Sequence, residues 1–354
     1  MLQAVSQHSV KKLKYVYSPM QNHLISIIVP FKNTSLFIKE CLDSIVNQTY
    51  TNWELIIIDD HSNDNSYNIV QNFANDDSRI QLYKNKGSGI IDALQLAYSK
   101  SKGSLITRMD SDDIMTADKL QVMHDDLVLH GKGHVAIGLV KYFSEEGIGE
   151  GFFKYETWLN TLTEKGLNYT AIYKECVIAS PCWMMHHEDF EKCGAFNSKI
   201  YPEDYDLVFR LYKNNIKCIP SSTLLHHWRD YSYRSSRVQD NYSHDNLLKL
   251  KLHYFTELDY NPAKKLVLWG AGNKGKFSAK YLIEHNINFI WICDNPNKIG
   301  KHIYNKELHD IKFLETIKNA QSIITVSNPN AQKEIKTYLN KQNRQPMVDY
   351  FFFC

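Results

Sequence analysis

The sequence predicts an α/β protein: a mainly parallel sheet flanked by helices, followed by a second, smaller α/β unit. Three observations carry that prediction. Short, continuously apolar runs at 24–29 and 55–58 read as strands buried on both faces. Amphipathic segments alternate with such runs, and a β-α-β-α order implies right-handed crossovers and a largely parallel sheet. A fresh strand, glycine loop and helix begin at Lys265, just after Asn261-Pro262 interrupts a helical pattern.

Taken in order, strands are expected at 24–29, 54–58, 80–83 and 104–107. The helices between them are expected at 36–46, 67–73, 89–98 and 119–129. From about residue 133 to 201 the pattern is irregular and defines no firm element. Residues 240–260 carry Leu247, Leu248, Leu250, Leu252 and Phe255 at spacings that are helical at least in part. Beyond Pro262, strands are expected at 265–269, 289–293, 322–326 and 347–353. The 354 residues thus divide into an N-terminal extension (1–23), a main unit (24–262) and a small C-terminal unit (263–354).

Composition narrows the function classes. Hydrophobic residues at 43% and charged residues at 23% argue against wholesale disorder. Basic and acidic side chains nearly cancel, 41 against 39, so a dedicated nucleic-acid binder is not expected. The balance hides an asymmetry: residues 264–354 carry a net +7 and residues 1–263 a net −5. The basic tail suits an anionic partner or the inner face of a membrane. No apolar run approaches the roughly 20 residues of a spanning helix. Lys11, Lys12 and Lys14 are followed by no apolar signal region. Seven cysteines, an odd number without a Cys-x-x-Cys pair, read as reduced thiols of a cytoplasmic protein. The glycosylation triplet Asn33-Thr34-Ser35 therefore carries no weight.

Carboxylates at strand ends are the informative feature. The run Leu55-Ile56-Ile57-Ile58 leads into Asp59-Asp60, and Ile106-Thr107-Arg108-Met109 leads into Asp110-Ser111-Asp112-Asp113. Ligands of open α/β sheets bind beyond the carboxyl ends of the strands, so both clusters should face one crevice. Acids gathered there repel one another and invite a cation. Carboxylate oxygens suit Mg²⁺ or Mn²⁺, whose remaining ligands are usually phosphate and water, so a phosphorylated substrate is the expected partner. A third pair, Glu203-Asp204, opens a helical pattern further on, where the N-terminus of a helix is a comfortable place for carboxylates.

The segments Ile25-Ser26-Ile27-Ile28-Val29-Pro30-Phe31-Lys32-Asn33, Ser44-Ile45-Val46-Asn47-Gln48-Thr49-Tyr50 and Trp53 to Asp60 resemble glycosyltransferase family 2. Arg108-Met109-Asp110-Ser111-Asp112-Asp113 resembles that family's DxD-type motif, and Tyr201-Pro202-Glu203-Asp204-Tyr205-Asp206-Leu207 its acceptor-side Glu-Asp motif. The resemblance covers roughly residues 24–240 and departs at Ala117, where members often carry Pro. It implies a GT-A fold, a nucleotide-sugar donor (UDP-linked), a divalent metal, and inversion at the anomeric carbon. The acceptor it implies is a hydroxyl of a glycan or lipid-linked glycan, in cell-surface polysaccharide biosynthesis.

Roles carried over by matching position are as follows. Pro30 and Lys32 line the nucleoside pocket and Asp60 bonds the uracil edge. Asp110 faces the ribose or the metal, and Asp112 holds the metal against the diphosphate. Asp113 either joins them or caps the next segment. Asp92 either reaches the donor sugar or is an ordinary helix acid. Asp204 is the general base and Glu203 orients the acceptor. In Leu224-Leu225-His226-His227-Trp228-Arg229, adjacent histidines on a strand point opposite ways, so at most one is an extra metal ligand; His227 is favoured, and is otherwise a packed core or surface histidine. Arg229, Arg234 and Arg237 either close over the diphosphate or form a solvated basic loop.

The C-terminal unit places Gly270-Ala271-Gly272-Asn273-Lys274-Gly275 after a strand, with Asp294 nineteen residues past the third glycine. That is the layout of a Rossmann-like nucleotide cradle, or of glycines that serve only a tight turn and helix–strand packing. An unidentified nucleotide at Gly270–Gly275 follows from the first reading. Two rival functions remain: a non-catalytic nucleotide-binding sensor or scaffold, and an NAD-linked oxidoreductase centred on this loop.

Overall fold

The computed structural model describes residues 22–234 and 243–354. Lys11, Lys12, Lys14 and Arg237 lie outside the described residues. The expected α/β class is observed. The first sheet has seven strands: β1 (Ile25–Phe31), β2 (Trp53–Asp59), β3 (Ile80–Lys84), β4 (Leu105–Arg108), β6 (His134–Ile137), β8 (Trp183–His186) and β9 (Lys217–Ile219). Their order is β3-β2-β1-β4-β8-β6-β9. Strands β3, β2, β1 and β4 are mutually parallel, and β8 runs antiparallel to both β4 and β6. A three-stranded sheet combines β5 (Ile114–Met115), β10 (Leu224–Arg229) and β7 (Leu139–Phe143), in the order β5-β10-β7.

Helices α1 (Ile38–Val46), α2 (Ser66–Asp76), α3 (Ile90–Lys100) and α4 (Lys119–His130) make the connections expected from the sequence. They are followed by α5 (Glu150–Lys165), α6 (His187–Lys192), α7 (Glu203–Lys213) and α8 (His244–Tyr254), the last ending in a π-helical turn at Phe255–Asp259. All seven residues of β1 and of β2 are buried, which is why both runs are apolar without alternation. Side-chain period two sends Ile28, Ile56 and Ile58 to one face, against Ala93, Leu94 and Ala97 of α3. Ile25, Ile27, Val29 and Ile57 go to the other, against Ile38, Cys41, Leu42 and Ile45 of α1 and Leu120, Met123 and Leu127 of α4.

Residues 265–352 form a separate six-stranded sheet in the order β13-β14-β12-β11-β15-β16. Its strands are β11 (Lys265–Trp269), β12 (Phe289–Cys293), β13 (His302–Ile303), β14 (Lys306–Asp310), β15 (Ala320–Ile324) and β16 (Tyr350–Phe352). Every pairing but β13/β14 is parallel, and α9 (Asn273–Glu284) and α10 (Pro329–Lys341) cover the sheet. One apolar cluster runs through both sheets, joining Phe209, Tyr254 and Phe255 to Leu266, Leu268, Phe351 and Phe353. Tyr173 stacks on Phe353 at 5.1 Å between ring centres, so the two units share a core. All seven cysteines are free thiols. None of the described helices is long and apolar enough to cross a membrane.

Strand order runs from β1 outward to β2 and β3 on one side and continues with β4 on the other, a switch point that opens a crevice at the carboxyl ends of these parallel strands. Pro30 sits near the end of β1 and Lys32 just past it, Asp60 follows β2, and Asp110 lies two residues beyond β4.

Candidate active site

On one wall of the crevice, Asp60 is the acid that turns inward, while Asp59 accepts the Ser62 amide and closes the loop behind it. Asp60 Oδ1 accepts from Asn85 Nδ2 at 2.7 Å and from the Gly89 amide at 3.0 Å. Gly89 has φ +90°, a conformation open to glycine, and this brings its N–H onto the carboxylate. Lys32 Nζ lies 3.7 Å from Asp60 Oδ2 and is half exposed, whereas Pro30 is buried in β1. These three predicted residues are therefore brought together. Asp92 sits one turn away, accepting the Ser88 amide at 3.1 Å with Lys199 Nζ at 3.6 Å. A Cβ at Gly87 would lie 2.2 Å from its Oδ2, so Asp92 packs tightly on the loop that presents Gly89.

The DxD-type segment leaves β4 and folds beneath the crevice. Asp112 Oδ2 accepts from the Tyr231 hydroxyl at 2.8 Å, and the Asp112 carbonyl accepts from Arg229 Nε at 2.7 Å. Burial, then the charge of Asp113, pushes the Asp112 carboxyl up to about 6. Asp113 is fully buried, accepting the Arg229 amide at 2.7 Å and lying 3.0 Å from His226 Nε2. Burial drives its carboxyl upward too, against the opposing pull of Arg234. Arg234 is itself buried, with its guanidinium 5.2 Å from the Trp228 ring centre. Burial works against its charge, but Asp113 and Asp112 outweigh burial and raise its pKa.

The structure corrects the choice between the two histidines. His226, and not His227, faces the acids; alternation along β10 turns His227 to the opposite side, edge-on to Phe143 at 6.3 Å. His226 Nδ1 stands 3.4 Å from the Nζ of Lys119, a fully buried ammonium that also donates to the Pro181 carbonyl. The network assigns Nε2–H donating to Asp113 and Nδ1 accepting from Lys119. Burial, followed by the Lys119 charge, holds the His226 pKa well below its usual value, so the ring is neutral. Arg229 is committed elsewhere: it pairs with Glu40 and packs over Phe37 and Phe143.

Across the crevice, Glu203 and Asp204 occupy the first turn of α7, where the helix dipole favours negative charge. Among the described residues, Asp204 Oδ1 accepts its neighbour's amide, Tyr205 N, at 2.8 Å. Burial and then the repulsion of Glu203 push its carboxyl up to about 7, with Arg108 opposing. Arg108, at the end of β4, joins the two acid sets: Nε donates to Asp110 Oδ1 at 3.0 Å and Nη1 to Glu203 Oε1 at 3.1 Å. A small cavity lined by Arg108, Ser180, Trp183, Phe196 and Asp204 adjoins this bridge. Tyr201 leans over the Gly89 backbone from the same side. Through Arg108, the acids that follow β4 and the Glu203-Asp204 pair of α7 thus meet at one crevice.

Among the described residues, no three His, Cys, Asp or Glu side chains close on a point as an all-protein metal cage. The donor chemistry nevertheless fits a hard divalent ion that takes one or two carboxylates and completes its shell with phosphate and water. Asp110 and Asp112 supply such oxygens, and the acid repulsion that adds to burial in raising Asp112 is what a cation would relieve. Arg108, Lys119, Asn85 and Tyr231 were not singled out from the sequence. For Arg108 a signal was present: a cation at the end of an otherwise uncharged run, two residues before the acids.

At the six-stranded sheet, the glycines of the loop after β11 divide by role. Gly270 has φ +119° and a Cβ there would meet Thr325 Oγ1 at 2.6 Å; a Cβ at Gly275 would lie 2.1 Å from the Gly270 carbonyl oxygen. Packing accounts for both. A Cβ at Gly272 would meet nothing within 4 Å, and Lys298 Nζ donates to the neighbouring Ala271 carbonyl at 2.8 Å. An open cleft of about 580 Å³, lined by Lys318, Asn343, Arg344 and Asp349 among others, lies at the amino end of β15, at the other end of this sheet.

The model of the family described as "Glycosyl transferase family 2" matches residues 26–194. Among curated relatives, glycosyltransferase GlyG of Streptococcus pneumoniae is 36% identical over 138 residues, covering 38% of this chain and 44% of GlyG. The chain therefore spans under half of that relative's length. The UDP-Glc:alpha-D-GlcNAc-diphosphoundecaprenol beta-1,3-glucosyltransferase WfgD of Escherichia coli is 30% identical over 203 residues, covering 56% of this chain and 74% of WfgD. Among solved structures, Staphylococcus aureus TarS 1–349 in complex with UDP-GlcNAc gives a TM-score of 0.49 at 17% identity, covering 74% of this chain and 72% of that one.

Proposed function

The chain belongs to glycosyltransferase family 2, and on that footing we propose that it moves a sugar, with inversion, from a UDP-sugar to a hydroxyl of a glycan or lipid-linked glycan. The observation that carries this reading is the meeting of two separate acid sets in one crevice, one suited to a leaving diphosphate and one to an incoming hydroxyl. WfgD, by its name, uses UDP-Glc and a diphosphoundecaprenol-linked acceptor, which supports both the donor class and the acceptor class.

In this reading Pro30, Lys32 and Asp60 hold the nucleoside, and Asp92 borders the sugar. Asp110 and Asp112 would hold Mn²⁺ or Mg²⁺; when bound, the ion offsets the charge that develops on the departing diphosphate. Arg234 adds a fixed positive charge to the same place. Asp204 takes the proton of the acceptor hydroxyl as that oxygen attacks the anomeric carbon, while Glu203 orients the acceptor. Holding both substrates in one crevice supplies much of the remaining acceleration. Residues 24–262 carry this chemistry, behind an extension at 1–23; residues 263–354 form an appended Rossmann-like unit. The work is done in the cytoplasm, with the net positive 264–354 segment suited to the anionic inner face of a membrane.

The test is a panel of nucleotide sugars incubated with the full chain and Mn²⁺, read as nucleoside diphosphate released. Metal-dependent release from a UDP-sugar is expected. Release from none, or release indifferent to EDTA, overturns the reading. A cofactor-reduction assay run beside it disposes of the NAD-linked alternative if no candidate alcohol reduces NAD.

A further inference from the structure

Arg108 is buried, with 6% of its side chain exposed, and among the described residues it forms ion pairs that reach to opposite sides of the crevice. Asp110 lies two residues beyond it on the donor side; Glu203 lies 95 residues downstream, at the first position of α7 on the acceptor side. A guanidinium removed from water persists only where it is well paired, and its planar fork fixes two partners at once in a way a lysine cannot.

The body of α7 is secured without Arg108. Asp206 accepts from Arg210 Nε at 2.8 Å and from the Tyr254 hydroxyl at 2.7 Å, and Arg210 also reaches the Cys193 and Ala195 carbonyls. The tip of the helix is different. Among the described residues Asp204 accepts an amide from its own turn, and Glu203 reaches across to β4 through Arg108.

Resting on the reading of Asp204 as general base, and deepening it, we propose that Arg108 is a positioning residue: it ties the first turn of α7 to the end of β4 and so sets the base's place relative to the donor. The same guanidinium also bears on Asp204 electrostatically, countering the repulsion of Glu203. Its removal should therefore disturb both the placement and the ionisation of the base, while the nucleoside contacts at Asp60 stay as they are.

The experiment uses the full chain with Arg108→Met, Arg108→Lys, Glu203→Gln and the Arg108→Lys/Glu203→Gln pair. UDP-glucose, UDP-galactose and UDP-N-acetylglucosamine with Mn²⁺ are the probes, and UDP release is followed from pH 5.5 to 9. For Arg108→Met the expected result is a kcat at least tenfold lower, donor KM and UDP affinity within threefold of the parent, and an acid limb moved to higher pH. Arg108→Lys should return the acid limb toward the parent without restoring the rate, because a point charge cannot hold both acids. An unmoved acid limb, or a loss that falls wholly in donor KM, overturns the proposal. Should Arg108→Met fail to fold, the urea midpoints of the milder variants decide: a double variant whose loss is less than the sum of the singles supports the bridge, and strict additivity overturns it. A parent protein that releases UDP from none of the three sugars overturns the transfer reading itself, and leaves Arg108 no catalytic step to serve.

Discussion

His226 Nε2 lies 3.0 Å from Asp113 Oδ2, with neither side chain exposed to solvent. Lys119, equally buried, stands at the other ring nitrogen. The three form a polar column beneath the DxD-type segment. Through the Arg229 amide, which Asp113 also accepts, the column fixes where β10 leaves that segment. A neutral imidazole suits this place because it can donate to the carboxylate and accept from the ammonium at once.

The first prediction follows from that column. His226→Ala leaves a buried carboxylate and a buried ammonium each short of a partner, which should cost about 3–5 kcal/mol. His227→Ala, on the other face of the strand, should cost no more than about 1 kcal/mol. Urea denaturation of the two variants measures the difference. Loss of turnover in His227→Ala without loss of stability would restore His227 to the metal shell.

The second prediction concerns Asp112. Asp112→Asn keeps the shape and the Tyr231 contact but removes the charge that would hold a divalent ion. Mn²⁺ with UDP should raise the melting temperature of the parent and not that of the variant. Donor turnover should fall steeply with it. A variant that turns over donor normally in EDTA shows the metal assignment to be wrong.

A third concerns the nucleoside wall. Asp60→Ala removes a buried carboxylate that already holds Asn85 and the Gly89 amide. UDP affinity should weaken by roughly 1.5–3 kcal/mol, the usual range for a hydrogen bond to a charged group. Titration calorimetry reads this directly. Unchanged affinity removes Asp60 from the nucleoside site.

The parallel half of the first sheet was legible because strands buried on both faces leave an unmistakable apolar run; β1 and β2 differ from expectation only at their ends. The antiparallel β8 was not. Trp183-Met184-Met185-His186 is four residues long and does not alternate, since β4 and β6 flank it on both edges and helices cover it. In β15 the expected span was two residues late, because Ala320 and Gln321 look polar-neutral in sequence yet are buried in the sheet. At the site, strand-end acids announced the crevice. The partners of those acids did not announce themselves, because Arg108 to Glu203 and Tyr231 to Asp112 are contacts across 95 and 119 residues of sequence. Which of two adjacent histidines faces inward depends on strand register, and that register is set by pairing with β5 and β7.

The shared core between the two sheets was equally invisible in sequence, and it carries a fourth prediction. Phe353 is fully buried, stacked on Tyr173, whose hydroxyl donates to Asp259 at 2.6 Å. Phe353→Ala should cost about 3–5 kcal/mol. Because the apolar cluster is continuous, calorimetry should show one transition moving down as a whole. Two separated transitions, with only one displaced, would mean the units melt independently. Truncation after Asp259 would strip this face bare, so lowered solubility is its expected result.

The last prediction separates chemistry from stability at Asp204. Its carboxyl is held at about 7 by burial and by Glu203, so the folded protein binds a proton there that the unfolded chain, with an ordinary carboxylate near 3.9, releases earlier. The sign follows: this proton stabilises the fold at low pH, and the contribution is lost as pH rises through about 7. Asp204→Asn removes the titration. The variant should melt close to the parent at pH 5 and at or above it at pH 8, since Asn also suits a helix start. Transfer should behave in the opposite sense. The parent's rate should rise with pH through the same region as the base ionises, and the variant should lose roughly 10²–10⁴ in rate, the usual cost of a missing general base. UDP affinity should persist, because the contacts proposed for it, at Asp60, Asp110 and Asp112, lie on the other wall. Turnover, UDP titration and melting at pH 5 and pH 8 in the one variant decide the matter. Retained turnover moves the base to Glu203, and a variant destabilised at both pH values would show that the side chain holds the fold rather than the proton.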